Sequence, residues 1–163
     1  MKAAAHITTL AVLCSSLAIA ASAVSNPKAT GDAHWIDPYS QQRATLRFDA
    51  IATSKAGTMA KGSATYTDRN VTYTMDVQFL KVSGNRAWFA GQVTSVTGAD
   101  GYLVCCRVGD WIFYKVQRSE PGVNADQVWA EDLTQERQLQ MIPAPSRDNV
   151  KDLVKSGTSM PGI

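Results

Sequence analysis

Histidine and cysteine, two residue types that often bind transition metals or serve in catalysis, are scarce in this chain. Its 163 residues include two histidines and three cysteines. After the first 23 residues His34 is the only histidine, so a Ser-His-Asp triad would have to use it. No G-x-S-x-G nucleophile elbow occurs. We therefore expect no catalytic residue, no metal site and no cofactor.

Charge of one sign is not concentrated anywhere in the sequence. The formal net charge is +2, and no run of five like charges occurs. Proteins that bind nucleic acids or acidic polymers usually carry a strongly basic patch or stripe. The charge pattern therefore predicts no nucleic-acid partner.

An uninterrupted apolar run long enough for a membrane helix is also missing. The apolar segment from Ile7 to Ala21 follows a charged start at Met1-Lys2 and ends in the small-x-small triplet Ala21-Ser22-Ala23. Threonine and serine side chains interrupt it, whereas a spanning helix needs about 20 apolar residues. The segment predicts a signal peptide over residues 1–23, cleaved before Val24. We expect a periplasmic or extracellular protein with no membrane span after cleavage.

Two adjacent thiols remain after Cys14 is removed with the signal peptide. Neighbours on a strand point to opposite faces, and a disulfide between Cys105 and Cys106 would close a strained ring. The pattern favours two small core groups. A vicinal or intermolecular disulfide, typical of an oxidising compartment, and a reactive thiol remain as alternatives.

Alternation of apolar and polar residues is the strongest structural pattern. Between Arg43 and Ala50 it predicts a half-buried strand with a wet outer face. The longest such segment runs from Val71 to Val82, and five apolar residues share one of its faces: Val71, Tyr73, Met75, Val77 and Phe79. The apolar phase then changes to Leu80 and Val82, which indicates a β-bulge.

Turn residues separate several further strand candidates. These candidates are residues 61–67, 87–96, 102–108, 111–117 and 127–131. Asp68-Arg69-Asn70 and Ser83-Gly84-Asn85 predict tight turns, and Gly109-Asp110 predicts a type II′ hairpin. Gly91 inside a strand indicates a bend or a close backbone approach.

The organisation that follows is one β domain with a short helical tail. Ser146 can cap a helix from Arg147 to Lys155, with Val150, Leu153 and Val154 as its apolar stripe. We expect a signal peptide over 1–23, an extended lead over 24–42, an antiparallel β domain over 43–133 and a tail over 134–163. The fold class is all-β, a sandwich or small barrel of about 6–8 strands.

Two segments resemble a family of small bacterial extracytoplasmic β domains of uncharacterised function. One runs from Val82 to Gly91, and the other combines Glu120-Pro121-Gly122 with Asp126-Gln127-Val128. The similarity covers about Gly57 to Leu133. It implies a secreted β fold and no particular activity. Arg118-Ser119 departs from the acidic or glycine residues that the family tends to have, which disfavours cation binding at that loop.

The candidate binding residues are aromatic. Trp88, Trp111, Phe113 and Trp129 could stack on sugar rings or anchor a partner if exposed, or pack in a second core layer under the helix. Glu120 and Asp126 are loop candidates, but no spacing selects a carboxylate pair for glycoside hydrolysis.

The sequence thus favours a secreted, non-enzymatic binding or structural module of the cell envelope or extracellular space. Its partner would be a glycan or an envelope protein, which the sequence does not identify. The alternatives are a polysaccharide hydrolase that uses a carboxylate pair and a carbohydrate-binding module that uses exposed tryptophans.

Overall fold

Within the residues that it describes, the computed structural model has seven strands and pairs each strand with the next one in sequence. It describes residues 25–36, 41–55, 57–98, 106–117, 127–134 and 143–157. The pairings are antiparallel, so the sheet is a meander. Its strands are β1 (Lys28–Ile36), β2 (Arg43–Ala52), β3 (Ala60–Thr67), β4 (Val71–Ser83), β5 (Arg86–Gly98), β6 (Trp111–Gln117) and β7 (Gln127–Asp132).

The sheet curls into a half-barrel. Cα atoms of β1 and β7 lie within 8 Å of one another, although five strands separate them in the sheet order. The predicted all-β class is confirmed, and the seven strands of the described residues fall within the predicted range. The described residues form one sheet, so the sandwich alternative is not seen.

The concave face of the sheet carries the larger of the two hydrophobic clusters that the described residues form. Every strand from β1 to β6 contributes buried side chains to it, and these follow the predicted alternation on β2 and, as far as Val77, on β4. Leu46, Met75, Phe89 and Tyr114 lie at its centre, each fully or almost fully buried. Apolar burial of this kind is the main driving force for folding. This inner cluster therefore fixes which face of each strand turns outward.

A second cluster lies on the convex side, between β4–β6 and the C-terminal helix α1 (Arg147–Ser156). The helix begins at Ser146, whose Oγ accepts a hydrogen bond from the Asn149 backbone N–H at 3.2 Å. It ends at Gly157, whose φ of 70° suits a left-handed C-cap. Val150, Leu153 and Val154 are buried against the sheet. The predicted helix, cap and apolar stripe are confirmed.

The predicted bulge in β4 is confirmed, but it lies one residue earlier than the sequence suggested. Val77 pairs with Gly91 and Phe79 pairs with Ala90, so Gln78 is the extra residue. Phe79 therefore belongs to the outer cluster, and Leu80 returns to the inner one. The expectation that Phe79 shares a face with Tyr73, Met75 and Val77 is wrong.

The sheet begins at Lys28, and the expectation of a lead over 24–42 that precedes the sheet is wrong. Only small residues of β1, Ala29 and Ala33, are deeply buried, so the apolar alternation is weak. Gly31 pairs with Phe48, and a Cβ on Gly31 would lie 2.7 Å from Cζ of the Phe48 ring. The Phe48 ring therefore occupies the space that a side chain at position 31 would need.

The segment before β6 differs from the predicted strand over residues 102–108. Cys106 and Arg107 lie outside any strand, and Val108-Gly109 form a turn that the Asp110 N–H closes on the Arg107 carbonyl at 3.0 Å. Gly109 has φ of 95°, as the third residue of a type II turn requires, so the predicted type II′ hairpin is wrong. Residues 102–105 are outside the described part.

Candidate functional site

The aromatic candidates of β5 and β6 are buried under helix α1. Trp88 is 7% exposed, Trp111 6% and Phe113 2%. Lys81 Nζ lies 5.2 Å from the Trp88 ring centroid and donates to the Lys155 carbonyl at 2.9 Å. The hypothesis of an exposed stacking row is therefore wrong for these three residues, because the helix occupies the face that a sugar ring would need.

Several other candidates lie where no side chain is described. The side chain of Trp129 and the residues Cys105, Glu120 and Asp126 are outside the described part of the chain. Cys106 is 1% exposed and belongs to the inner cluster. That burial agrees with its interpretation as a small core group.

His34 joins a hydroxyl and a carboxylate on the open outer surface of β1 and β2. Its Nδ1 lies 3.1 Å from Thr45 Oγ1, and its Nε2 lies 3.4 Å from Asp32 Oδ1. Arg47 Nε donates to the other oxygen of Asp32 at 3.0 Å. The His34 side chain is 44% exposed, so water competes for each of these contacts. A hydrolytic triad acts in a water-excluded site, and this network lacks that enclosure.

This network is one corner of a larger polar surface, which we call the outer polar face. Cross-strand pairing places its members in three rows that each cross β1 to β5. The rows are His34-Thr45-Thr67-Thr72-Thr97, Asp32-Arg47-Thr65-Thr74-Ser95 and Thr30-Asp49-Ser63-Asp76-Gln92. All fifteen side chains are exposed or half-exposed.

Strand geometry fixes the dimensions of the outer polar face. Neighbouring strands are about 4.8 Å apart, and alternate residues on one strand are about 6.8 Å apart. Five strands and three rows therefore give a grid of roughly 19 by 14 Å. That area can contact several units of an extended polymer at once.

Hydroxyl groups dominate the middle of this face. Thr65 Oγ1 lies 3.3 Å from Thr74 Oγ1, and Thr72 Oγ1 donates to Thr67 Oγ1 at 3.2 Å. Cross-strand threonine pairs of this kind also stabilise a sheet. Each hydroxyl has one donor and two acceptor sites, so one such contact leaves capacity for a ligand.

Charges on the outer polar face are largely paired with one another. Arg47 contacts Asp32, and Lys28 at the end of β1 lies 3.3 Å from Asp49. Exposed pairs of this kind contribute about 0–1 kcal/mol to stability. Their consequence here is a surface of low net charge, which suits an uncharged ligand better than a polyanion.

The concave side of the sheet is filled by its own aromatic side chains. Phe89 stacks with Phe48 and with Tyr114 at centroid distances of 5.1 and 5.4 Å. The Tyr114 and Tyr73 hydroxyls share a buried hydrogen bond, and Tyr73 stacks on Tyr66. These rings form the core of the domain, so the outer surface is the better candidate for ligand contact.

Comparisons with known proteins returned no match. No family model, curated protein or solved structure matches this chain. Within the described residues, no group of three or more His, Cys, Asp or Glu side chains could hold a metal ion. In that same part of the chain, no helix has both the length and the apolar character needed to cross a membrane. The resemblance to extracytoplasmic β domains stays a prediction.

The outer polar face is a site that the sequence alone did not predict. The residues that form this face are the polar members of the apolar–polar alternation in each strand. Thr65 and Thr67, on either side of Tyr66, are an example. Which of these residues become neighbours depends on strand register, and β5 carries an extra residue at Thr94 that shifts the pairing. Such a shift is a tertiary property.

Proposed function

We propose that this protein is a secreted, non-enzymatic binding module, and that its ligand contacts the outer polar face. The observation that carries the proposal is the cross-strand pairing of four threonines. Thr65 lies opposite Thr74 and Thr67 lies opposite Thr72, with further polar residues on either side. The uncovered, hydroxyl-rich grid supports recognition of an uncharged polyhydroxyl polymer, such as a neutral glycan chain. The predicted signal peptide supports an extracytoplasmic ligand.

The hydrolase alternative receives less support from the described carboxylates. Asp76 is exposed on the open convex surface, and Asp110 accepts a hydrogen bond from the Arg107 backbone N–H at 2.6 Å. A glycoside hydrolase needs two converging carboxyl groups whose surroundings set different pKa values. An open sheet face offers water equal access to every group on it.

Paired hydroxyl removal tests the proposed surface. The protein would be screened against neutral and charged polysaccharides, and the best ligand titrated against the double variant Thr65→Val/Thr74→Val. Valine keeps the side-chain shape and strand preference. Loss of two hydrogen bonds of about 1 kcal/mol each predicts at least a tenfold weaker affinity.

Thr53→Val is the control, because Thr53 lies beyond the end of β2 and outside the fifteen residues of this face. Its exposed hydroxyl donates to the Met59 carbonyl at 3.2 Å. Urea midpoints of all variants would establish equal folding. Unchanged affinity of the double variant would reject the surface, and release of shortened glycan products would reject the non-enzymatic assignment.

A further inference from the structure

The turn between β3 and β4 contains a modification motif. Asn70-Val71-Thr72 matches N-x-[ST], the acceptor sequence for N-linked glycosylation of secreted proteins. It is the only such triplet in the 163 residues. A three-residue motif often occurs by chance, so the structure around Asn70 decides whether it is accessible for modification.

The surroundings place Asn70 at the tip of a rigid two-residue turn. The Asp68 N–H donates to the Val71 carbonyl at 3.0 Å, which closes the turn. Asp68 Oδ1 accepts from the backbone N–H groups of Asn70 and Val71, at 2.7 Å each. Arg69 and Asn70 are both exposed. Among the described residues, no hydrogen bond engages the Asn70 side-chain amide.

The third residue of the motif faces the same solvent. Thr72 lies on the outer polar face, half-exposed, with its hydroxyl 3.2 Å from Thr67 Oγ1. Val71 between them packs partly against the inner cluster. The amide and the hydroxyl that define the motif are thus accessible, while the apolar middle residue anchors the segment. A glycan on Asn70 would extend from the end of the sheet and displace no core side chain.

We propose that Asn70 is the acceptor of an N-linked oligosaccharide. In the transfer, Asn70 Nδ2 forms a bond to C1 of the first sugar of a lipid-linked oligosaccharide donor. The bond between C1 and the pyrophosphate oxygen breaks, the lipid pyrophosphate leaves with the electron pair, and the amide nitrogen gives up one proton. The inference rests on the secreted location in the proposed function. It shares Thr72 with the outer polar face but does not require that this face binds a ligand.

Expression in a eukaryotic cell with this transferase in its secretory pathway tests the inference. The whole chain would be produced with its own N-terminus and, in parallel, with residues 1–23 exchanged for an established signal peptide. Exported protein would be analysed by peptide mass spectrometry. We expect an oligosaccharide on the Asn70 peptide, and enzymatic removal of the glycan should leave aspartate at that position.

Three variants test whether modification requires the motif itself or only an exposed turn. Asn70→Gln and Thr72→Val should lose the glycosylated form completely, whereas Thr72→Ser should keep it. Exported protein with an unmodified Asn70 in both arms would overturn the inference and leave secretion intact. Glycosylation only with the exchanged signal would support Asn70 as the acceptor and reject the predicted signal peptide instead.

Discussion

At the residue scale, glycine is placed where two backbones meet too closely for any side chain. A Cβ on Gly91 of β5 would lie 2.0 Å from the Asp76 carbonyl oxygen and 3.0 Å from Val77 Cα. These atoms belong to the neighbouring strand next to the bulge at Gln78. They cannot rotate away as a side chain can. Gly84, by contrast, has φ of 58° but open space around it.

The two glycines should therefore respond differently to alanine. Gly84→Ala should cost about 1 kcal/mol, because only the left-handed backbone conformation is penalised. Gly91→Ala should cost about 3 kcal/mol or more, because the strands must separate. Urea denaturation of both variants checks the difference. Midpoints that agree within error would contradict the close approach.

The sequence indicated the role of Gly91 because an isolated glycine between strand residues is typical of a bend or a close backbone approach. It did not indicate Gly31, since Ala29 and Ala33 on the same inner face give no strong apolar alternation. Glycine is needed at position 31 because of the Phe48 ring. Phe48 is 17 positions away and becomes a neighbour only through the register of β1 and β2. Pairing information of this kind is absent from a local pattern.

At the element scale, the bulge in β4 decides which of two successive buried residues lies on each side of the sheet. Phe79 is 0% exposed and stacks with Trp111 at 5.8 Å, and Leu80 is 1% exposed in the inner cluster. We expect Phe79→Ala to cost about 3–5 kcal/mol and Leu80→Ala about 2–5 kcal/mol. Thr74→Ala, half-exposed on the outer polar face, should cost less than about 1 kcal/mol.

Denaturant midpoints of the three variants test this arrangement. If Phe79→Ala or Leu80→Ala left the denaturant midpoint nearly unchanged, the substituted side chain would face water, as in a strand with one apolar face. The bulge was predictable from the phase change itself. Its position was not, because Gln78 and Phe79 are both compatible with the extra residue until Gly91 and Ala90 on β5 define the register.

Helix α1 was the most predictable element, since its determinants are local. Ser146 and Asn149 form a reciprocal cap, with the Asn149 carboxamide oxygen accepting from the Ser146 N–H at 3.2 Å. The spacing of Val150, Leu153 and Val154 defines one face. What the sequence left open was the surface under the helix, because β5 and β6 are apolar on both faces and either face could have been exposed.

At the scale of the whole molecule, the two hydrophobic clusters of the described residues have the strands β4, β5 and β6 in common. Successive residues of β4, β5 and β6 point alternately into the inner and the outer cluster, as Trp88 and Phe89 do on β5. Because these strands contribute side chains to both clusters, disruption of one cluster should also disturb the packing of the other. The domain should therefore unfold as one cooperative unit, as most single domains of this size do.

One variant in each cluster tests this cooperativity. Leu46→Ala creates a cavity at a fully buried position in the inner cluster, and Val154→Ala does so in the outer cluster, on the buried face of helix α1. Each should lower the midpoint of a single urea transition, with far-ultraviolet circular dichroism and tryptophan fluorescence giving coincident curves. We expect about 2–5 kcal/mol for the leucine, and less for the valine because it loses two methyl groups rather than three carbons. A biphasic curve in which Val154→Ala moves only one phase would mean that the helix and its aromatic surface form a separate unit, attached to a half-barrel that is stable without them.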